Sequence, residues 1–122
     1  MLTIQPWDGS VCRAIERAIQ TSDIGINPQS DGRTIRLVFP PLTEEKRKDI
    51  VKDVSKMAEE SKVALRSIRR DAIEKMKSMK KEGLLTEDDL KQGEKKVQDI
   101  TDKNVKVIDE RSAAKQKEVL TL

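Results

Sequence analysis

Polar and apolar positions change their period once along this chain. Up to Phe39 they alternate between strand-like and short helical patterns. "LTIQP" alternates and stops at Pro6, as a short strand does. Val11, Ala14, Ile15, Ala18 and Ile19 then recur at helical spacing, with Ser10 placed to cap that helix and Gly25 suited to its exit. "NPQSDG" is dense in turn formers, and "RTIRLVF" has the β-branched and aromatic content of a strand. Residues 1–39 therefore predict a small, partial β/α/β domain, with too few residues to bury a comfortable core alone.

From Thr43 one helical period takes over. Thr43 is a helix cap, with Glu44 and Glu45 where the macrodipole favours anions. Val54, Met57, Ala58, Leu65, Ile68, Ala72, Met76 and Met79 form one stripe in steps mostly of three and four, and Gly83 ends the helix. Thr86 caps a second helix, with Glu87, Asp88 and Asp89 in its first turn. That helix carries two adjacent stripes: Leu90, Val97, Ile100 and Val107, and beside them Val105, Ile108 and Val119. At about 1.5 Å per residue both helices reach roughly 50–60 Å. The short turn at Glu82–Leu85 makes them antiparallel.

One neighbour cannot cover two stripes. Residues 43–122 thus predict an incomplete three-helix bundle, whose open stripe calls for a third helix or for a second copy of the chain. The fold expected is α+β, mainly α: a long antiparallel helical hairpin joined through residues 40–42 to the small domain. Pro40 and Pro41 have fixed φ and no N–H, so they extend neither strand nor helix. Pro41 also pushes Pro40 towards an extended conformation. A stiff elbow at Pro40, Pro41 and Leu42 is the expectation.

Composition narrows the chemistry. Charged residues are 39% and aromatics 2% of the chain, which suits long solvated helices better than a thick core. There is no His and no Tyr, and Cys12 is the single Cys, with no imidazole to activate it. The five glycines form no phosphate-cradling loop, and "TEDDLKQGEKK" lacks the alternating ligands of a calcium site. Neither an enzyme nor a cofactor is expected. A lone Cys fits a reducing compartment. No apolar run approaches a membrane span, and "MLTIQPWDGS" carries no signal-peptide pattern. A soluble, cytoplasmic protein without membrane partners is the expectation.

The net charge of +3 is small, but its distribution is uneven. Residues 1–42 hold four basic and four acidic side chains. Residues 62–81, "KVALRSIRRDAIEKMKSMKK", hold eight basic and two acidic. On a helical wheel Lys62, Arg66, Arg69, Lys77 and Lys80 share one flank of the apolar stripe, with Arg70 beside them. Most such runs are simply solvated faces. Arginines without matched Glu one turn earlier tilt this one towards phosphate binding, since guanidinium suits bidentate contacts. With one Phe, one Trp and no Tyr, base stacking is not expected, so an RNA partner would be read by backbone and shape.

"PPLTEEKRKDIVKDV" and "VALRSIRRDAIEKMK" closely resemble the ribosome recycling factor family. The resemblance continues upstream through "LTIQPWDGSVCRAIERAIQTSDIGINPQSDGRTIRLVFPPLTEE" and downstream through "LTEDDLK" and the last helix. It implies an L-shaped molecule, in which a three-helix bundle carries a smaller β/α/β domain through a two-strand hinge. The activity implied is binding to the post-termination ribosome and, with elongation factor G and that partner's GTP hydrolysis, separation of the subunits. By motif, Arg47, Arg66, Arg69 and Arg70 would contact large-subunit rRNA, and Lys62 joins them by its place on the same flank. The hinge would include Pro40, Pro41 and Leu42. The family's first bundle helix, the first strands of its second domain and the other hinge strand find no counterpart, so a start inside the usual reading frame, or a fragment, is expected. The rival expectation is a self-associating helical hairpin, or an inactive fragment without recycling activity.

Overall fold

The computed structural model describes residues 1–122. The chain divides into two compact units, Met1–Leu42 and Thr43–Leu122.

The first unit holds a three-stranded antiparallel sheet and one helix. Strands β1 (Leu2–Ile4) and β2 (Gln29–Ser30) both pair with β3 (Ile35–Leu37), giving the order β1-β3-β2. Leu2 faces Leu37 and Ile4 faces Ile35 across the first pair, while Ser30 faces Ile35 across the second. The buried side chains are Ile35 and Leu37, on one face of β3, and Cys12 at the start of helix α1 (Cys12–Thr21). Arg36 between them points to solvent, the alternation expected of a strand with one covered face.

Two local expectations are corrected here. Ser10 does not cap the helix: Asp8 accepts the Ser10 N–H at 2.9 Å and starts a short 3-10 turn, Gly9–Val11, that leads into α1. The "NPQSDG" stretch is more than a turn, because Gln29 and Ser30 form β2. Both residues are exposed, so no apolar alternation announced the strand. The turn that follows rests on Asp31. Its carboxylate accepts from the backbone N–H groups of Arg33 and Thr34 and from the Thr34 hydroxyl, at 2.7–2.9 Å. Gly32 takes the left-handed φ of +88° that this turn needs.

The second unit is two helices, α2 (Glu44–Lys81) and α3 (Glu87–Thr121). Their ends form as the sequence requires. Thr43 accepts the Lys46 N–H at 3.2 Å. Thr86 and Asp89 exchange side-chain and backbone hydrogen bonds in a capping box. Gly83, at φ +77°, closes α2: its N–H reaches the Lys80 carbonyl and the Leu84 N–H reaches Met79, a Schellman ending. Pairs recede from this turn in antiparallel step: Lys80 with Glu87, Arg69 with Gln98, Lys62 with Asp109, and Ser55 with Gln116.

The seam differs from the predicted stripes. On α3 it runs through Leu90, Val97, Thr101, Val105, Ile108 and Val119, all buried or half-buried. Ile100 and Val107 are left exposed. Val105, Ile108 and Val119, the second of the two predicted stripes, thus belong to the hairpin seam. On α2, Val54, Ala58, Leu65, Ala72 and Met76 keep to the seam, whereas Met57 and Ile68 are 67% and 64% exposed. The reason is phase. Ile100 lies a full residue step, about 100°, from Thr101, and the closest approach of the helices selects the Thr101 side. Thr101 is accommodated there because its hydroxyl donates to the Val97 carbonyl at 2.7 Å.

Gly93 marks one point of that approach. A Cβ built on it would stand 2.6 Å from Met76 Sδ. Gly93→Leu is expected to destabilise the hairpin by roughly 1–3 kcal/mol through overpacking. Gly93→Ala should stay within about 1 kcal/mol of the parent, because gained helix propensity offsets the displaced thioether. Met76→Ala should recover part of the loss in the Leu variant. Thermal unfolding by circular dichroism reads all three, and a Leu variant melting with the parent would show that the helices are not close there.

The β2–β3 turn predicts a pH response. Hydrogen bonds from the Thr34 and then the Arg33 backbone hold the Asp31 carboxyl at about 2, below its ordinary 3.8. A depressed carboxyl stabilises the fold above the ordinary value and loses that contribution as pH falls through the depressed one. The Arg33 and Thr34 amide resonances should therefore titrate with a midpoint near 2. A midpoint at the ordinary value would mean that the turn is not formed as described.

Candidate nucleic-acid interface

Helix phase sorts the long side chains of the hairpin onto two faces. On α2, Ile50, Met57 and Ile68 fall about a quarter-turn to one side of the seam, and Arg66, Arg70 and Lys77 about as far to the other. On α3, Ile100 and Val107 fall about a third of a turn from the seam. Because the helices are antiparallel, these two residues share the face of Ile50, Met57 and Ile68. The exposed arginines occupy the opposite face.

The five cations named from the sequence are not equivalent. Arg66 and Arg70 are exposed. Lys62 and Arg69 do not lie beside the seam as expected but at it, both half-buried. Only 13% of the Lys62 side chain is exposed, and its ammonium meets Glu59 at 2.6 Å and Asp109 at 2.9 Å. Glu59, then Asp109, hold the Lys62 ammonium above its ordinary 10.5. Its charge is answered within the protein. Arg69 Nη1 donates to Gln98 Oε1 at 3.2 Å, and Gln98 Nε2 donates to Asp102 Oδ1 at 2.8 Å. Arg47 sits half-buried in the first turn of α2, its Nε buried without an acceptor.

The physical reason for the shift is reach. Lys and Arg carry long aliphatic stems that cover apolar surface while the charged head finds a polar partner. A wheel drawn for α2 alone cannot show that α3 supplies Asp109 and Gln98 opposite. The residues missed were therefore those on α3 that anchor the cations. Counting outward from the Gly83 turn in antiparallel register would have found them.

Pro40, Pro41 and Leu42 are exposed and lie outside any strand or helix, where the first unit ends. No group of three or more His, Cys, Asp or Glu side chains is arranged to hold a metal. No helix is long and apolar enough to cross a membrane.

A family model described as ribosome recycling factor matches residues 1–120. The chain is 58% identical over 120 residues to the ribosome-recycling factor of Acetivibrio thermocellus, covering 98% of this chain and 66% of that protein. It is 53% identical over 122 residues to that of Clostridium perfringens, covering 100% and 66%. Among solved structures, a solution structure of the ribosome recycling factor matches with a TM-score of 0.68 at 36% identity, over 98% of this chain and 63% of the other. A T. thermophilus ribosome recycling factor, described with E. coli elongation factor G bound to the E. coli post-termination complex, matches with a TM-score of 0.55 at 44% identity, over 98% and 64%. The chain thus spans about two thirds of the length of these relatives. With its two units matched together, from Met1 to Leu120, the chain belongs to the ribosome recycling factor family.

Proposed function

We propose that this chain is a ribosome-binding translation factor of the recycling type. Arg66, Arg69 and Arg70 grip the phosphate backbone of large-subunit rRNA, with Arg47 at the helix start. Together with elongation factor G, binding promotes separation of the subunits after termination. The GTP chemistry belongs to that partner, and the place of action is the cytoplasm, where the ribosomes are. Pro40, Pro41 and Leu42 form the elbow between residues 1–39 and the hairpin over 43–122. The relatives extend beyond the matched stretch, so the reading concerns what these two units contribute, not the whole activity.

The observation that carries it is the exposed pair Arg66 and Arg70, with half-buried Arg69 between them, on one side of α2 in a chain matched throughout by one family. Phosphate contacts release condensed counterions, so binding to large ribosomal subunits should weaken steeply with salt. Replacing Arg66 and Arg69 together with Glu should reduce pelleting with the subunits strongly while helix content stays near the parent's, since Arg and Glu are both good helix formers. Lys62→Met should behave differently: its carboxylate partners are inside the hairpin, so the melting temperature falls more than binding does. A double Glu variant that pellets like the parent at every salt concentration would remove this face from consideration.

A second reading is favoured by the opposite face. Met57, Ile68 and Ile100 are each more than half exposed there. Exposed Asp53, Glu60 and Asp71 edge it on α2 among Lys46 and Lys75, and exposed Lys96, Lys103 and Arg111 edge it on α3 among Asp89 and Glu118. A second copy laid on this face, with α2 over the partner's α3, would bury the apolar residues. Sedimentation should then show a concentration-dependent dimer that Ile68→Asp with Ile100→Asp abolishes and the Arg66, Arg69 changes do not. A parent chain that stays monomeric at high concentration would exclude it.

A further inference from the structure

Arg69 differs from the other cations of its face in how it is held. Arg66 and Arg70 extend into solvent. Lys62 is in direct contact with two carboxylates. Arg69 pairs with no carboxylate; an amide stands between it and Asp102. Gln98 accepts from Arg69 with its carbonyl, at 3.2 Å, and donates its NH2 to Asp102, at 2.8 Å. The bond to Asp102 decides which way the amide points, because an ionised carboxylate accepts and cannot donate. The Gln98 carbonyl is thereby turned towards Arg69.

We propose that Gln98 and Asp102 are positioning residues for Arg69: the relay from Asp102 through Gln98 fixes the guanidinium so that its remaining N–H groups meet a phosphodiester oxygen. This rests on the reading that the Arg66–Arg70 edge binds phosphate backbone. Three features support it. A guanidinium has five N–H donors in one plane, so tying down one sets the direction of the others. Arg69 is half-buried at the seam, so much of its rotamer freedom is lost on folding rather than on binding. An amide relay also orients without neutralising. The carboxylate sits one side chain away, and Arg69 keeps its charge for an incoming anion, whereas the charge of Lys62 is already matched.

The experiment is a double-mutant cycle in the intact chain, with binding to purified large ribosomal subunits measured at fixed moderate salt. Gln98→Met keeps side-chain length and helix propensity but removes both hydrogen bonds. It should weaken binding roughly three- to tenfold, the cost of re-ordering one long side chain. Arg69→Ala should weaken binding further, and Gln98→Met added to it should change nothing more. Asp102→Asn, whose carbonyl still accepts, should bind nearly as the parent, while Asp102→Ala should follow Gln98→Met. Helix content by circular dichroism should be alike in all of them. Parental binding by Gln98→Met, with binding lost in Arg69→Ala, overturns the relay and leaves the phosphate reading standing. An equal loss from Gln98→Met in both backgrounds overturns it too, because the role is then structural. Parental binding by Arg69→Ala overturns both the relay and the phosphate assignment of Arg69.

Discussion

A pair of helices can cover only one strip of each, and the second unit is governed by that limit. α2 runs for 38 residues without one buried side chain, and α3 has only Leu90, Thr101 and Val119. In a seam this open a polar side chain can reach water or a partner across the gap, so it carries little of the cost of burial. This is why Ser55 and Gln116, Lys62 and Asp109, and Arg69 and Gln98 can meet across positions where a closed bundle would place leucines. Register is then set as much by these polar pairs as by apolar packing.

The same openness divides labour among the cations. A charge at the seam is drawn to whatever the other helix offers. Asp109 answers Lys62, and Gln98 answers Arg69 without cancelling it. A charge one residue further round the helix, as at Arg66 or Arg70, meets only solvent. Four neighbouring cations of one wheel flank thus have three different environments. Their value for holding an anion follows from the partner, not from the wheel.

Most features set by a few adjacent residues were legible in the sequence, the Asp8 cap before α1 excepted. Thr43, Gly83 and Thr86 end or begin helices through their own hydroxyls or their own φ, and each acts where it was expected. Features set by a partner strand or helix were not. β2 is two exposed residues that become a strand only because β3 pairs with them. Thr101 is polar, so a reading by apolar residues passed over it for Ile100, although Leu90, Val105, Ile108 and Val119 all lie within about 40° of it. Cys12 likewise reads as an isolated thiol, yet it is among the few buried side chains of the first unit. The candidate site falls between these cases. The arginines and the helix bearing them could be read, whereas the α3 side chains that hold Lys62 and Arg69 could not be read from α2.

Gly93 links the two faces of the hairpin. With no Cβ it lets α3 come up against Met76, and that approach fixes the rotation of each helix about its axis. Rotation in turn decides everything at a residue step from the seam. Turning α3 by one residue, about 100°, would exchange Thr101 for Ile100 and take Gln98 away from Arg69. The seam would gain Ile100 but lose Leu90, Val105, Ile108 and Val119, which all lie within about 40° of Thr101. The observed phase leaves Ile100 exposed and keeps Arg69 tied to α3. Helix packing and the bond from Arg69 to Gln98 therefore select the same phase.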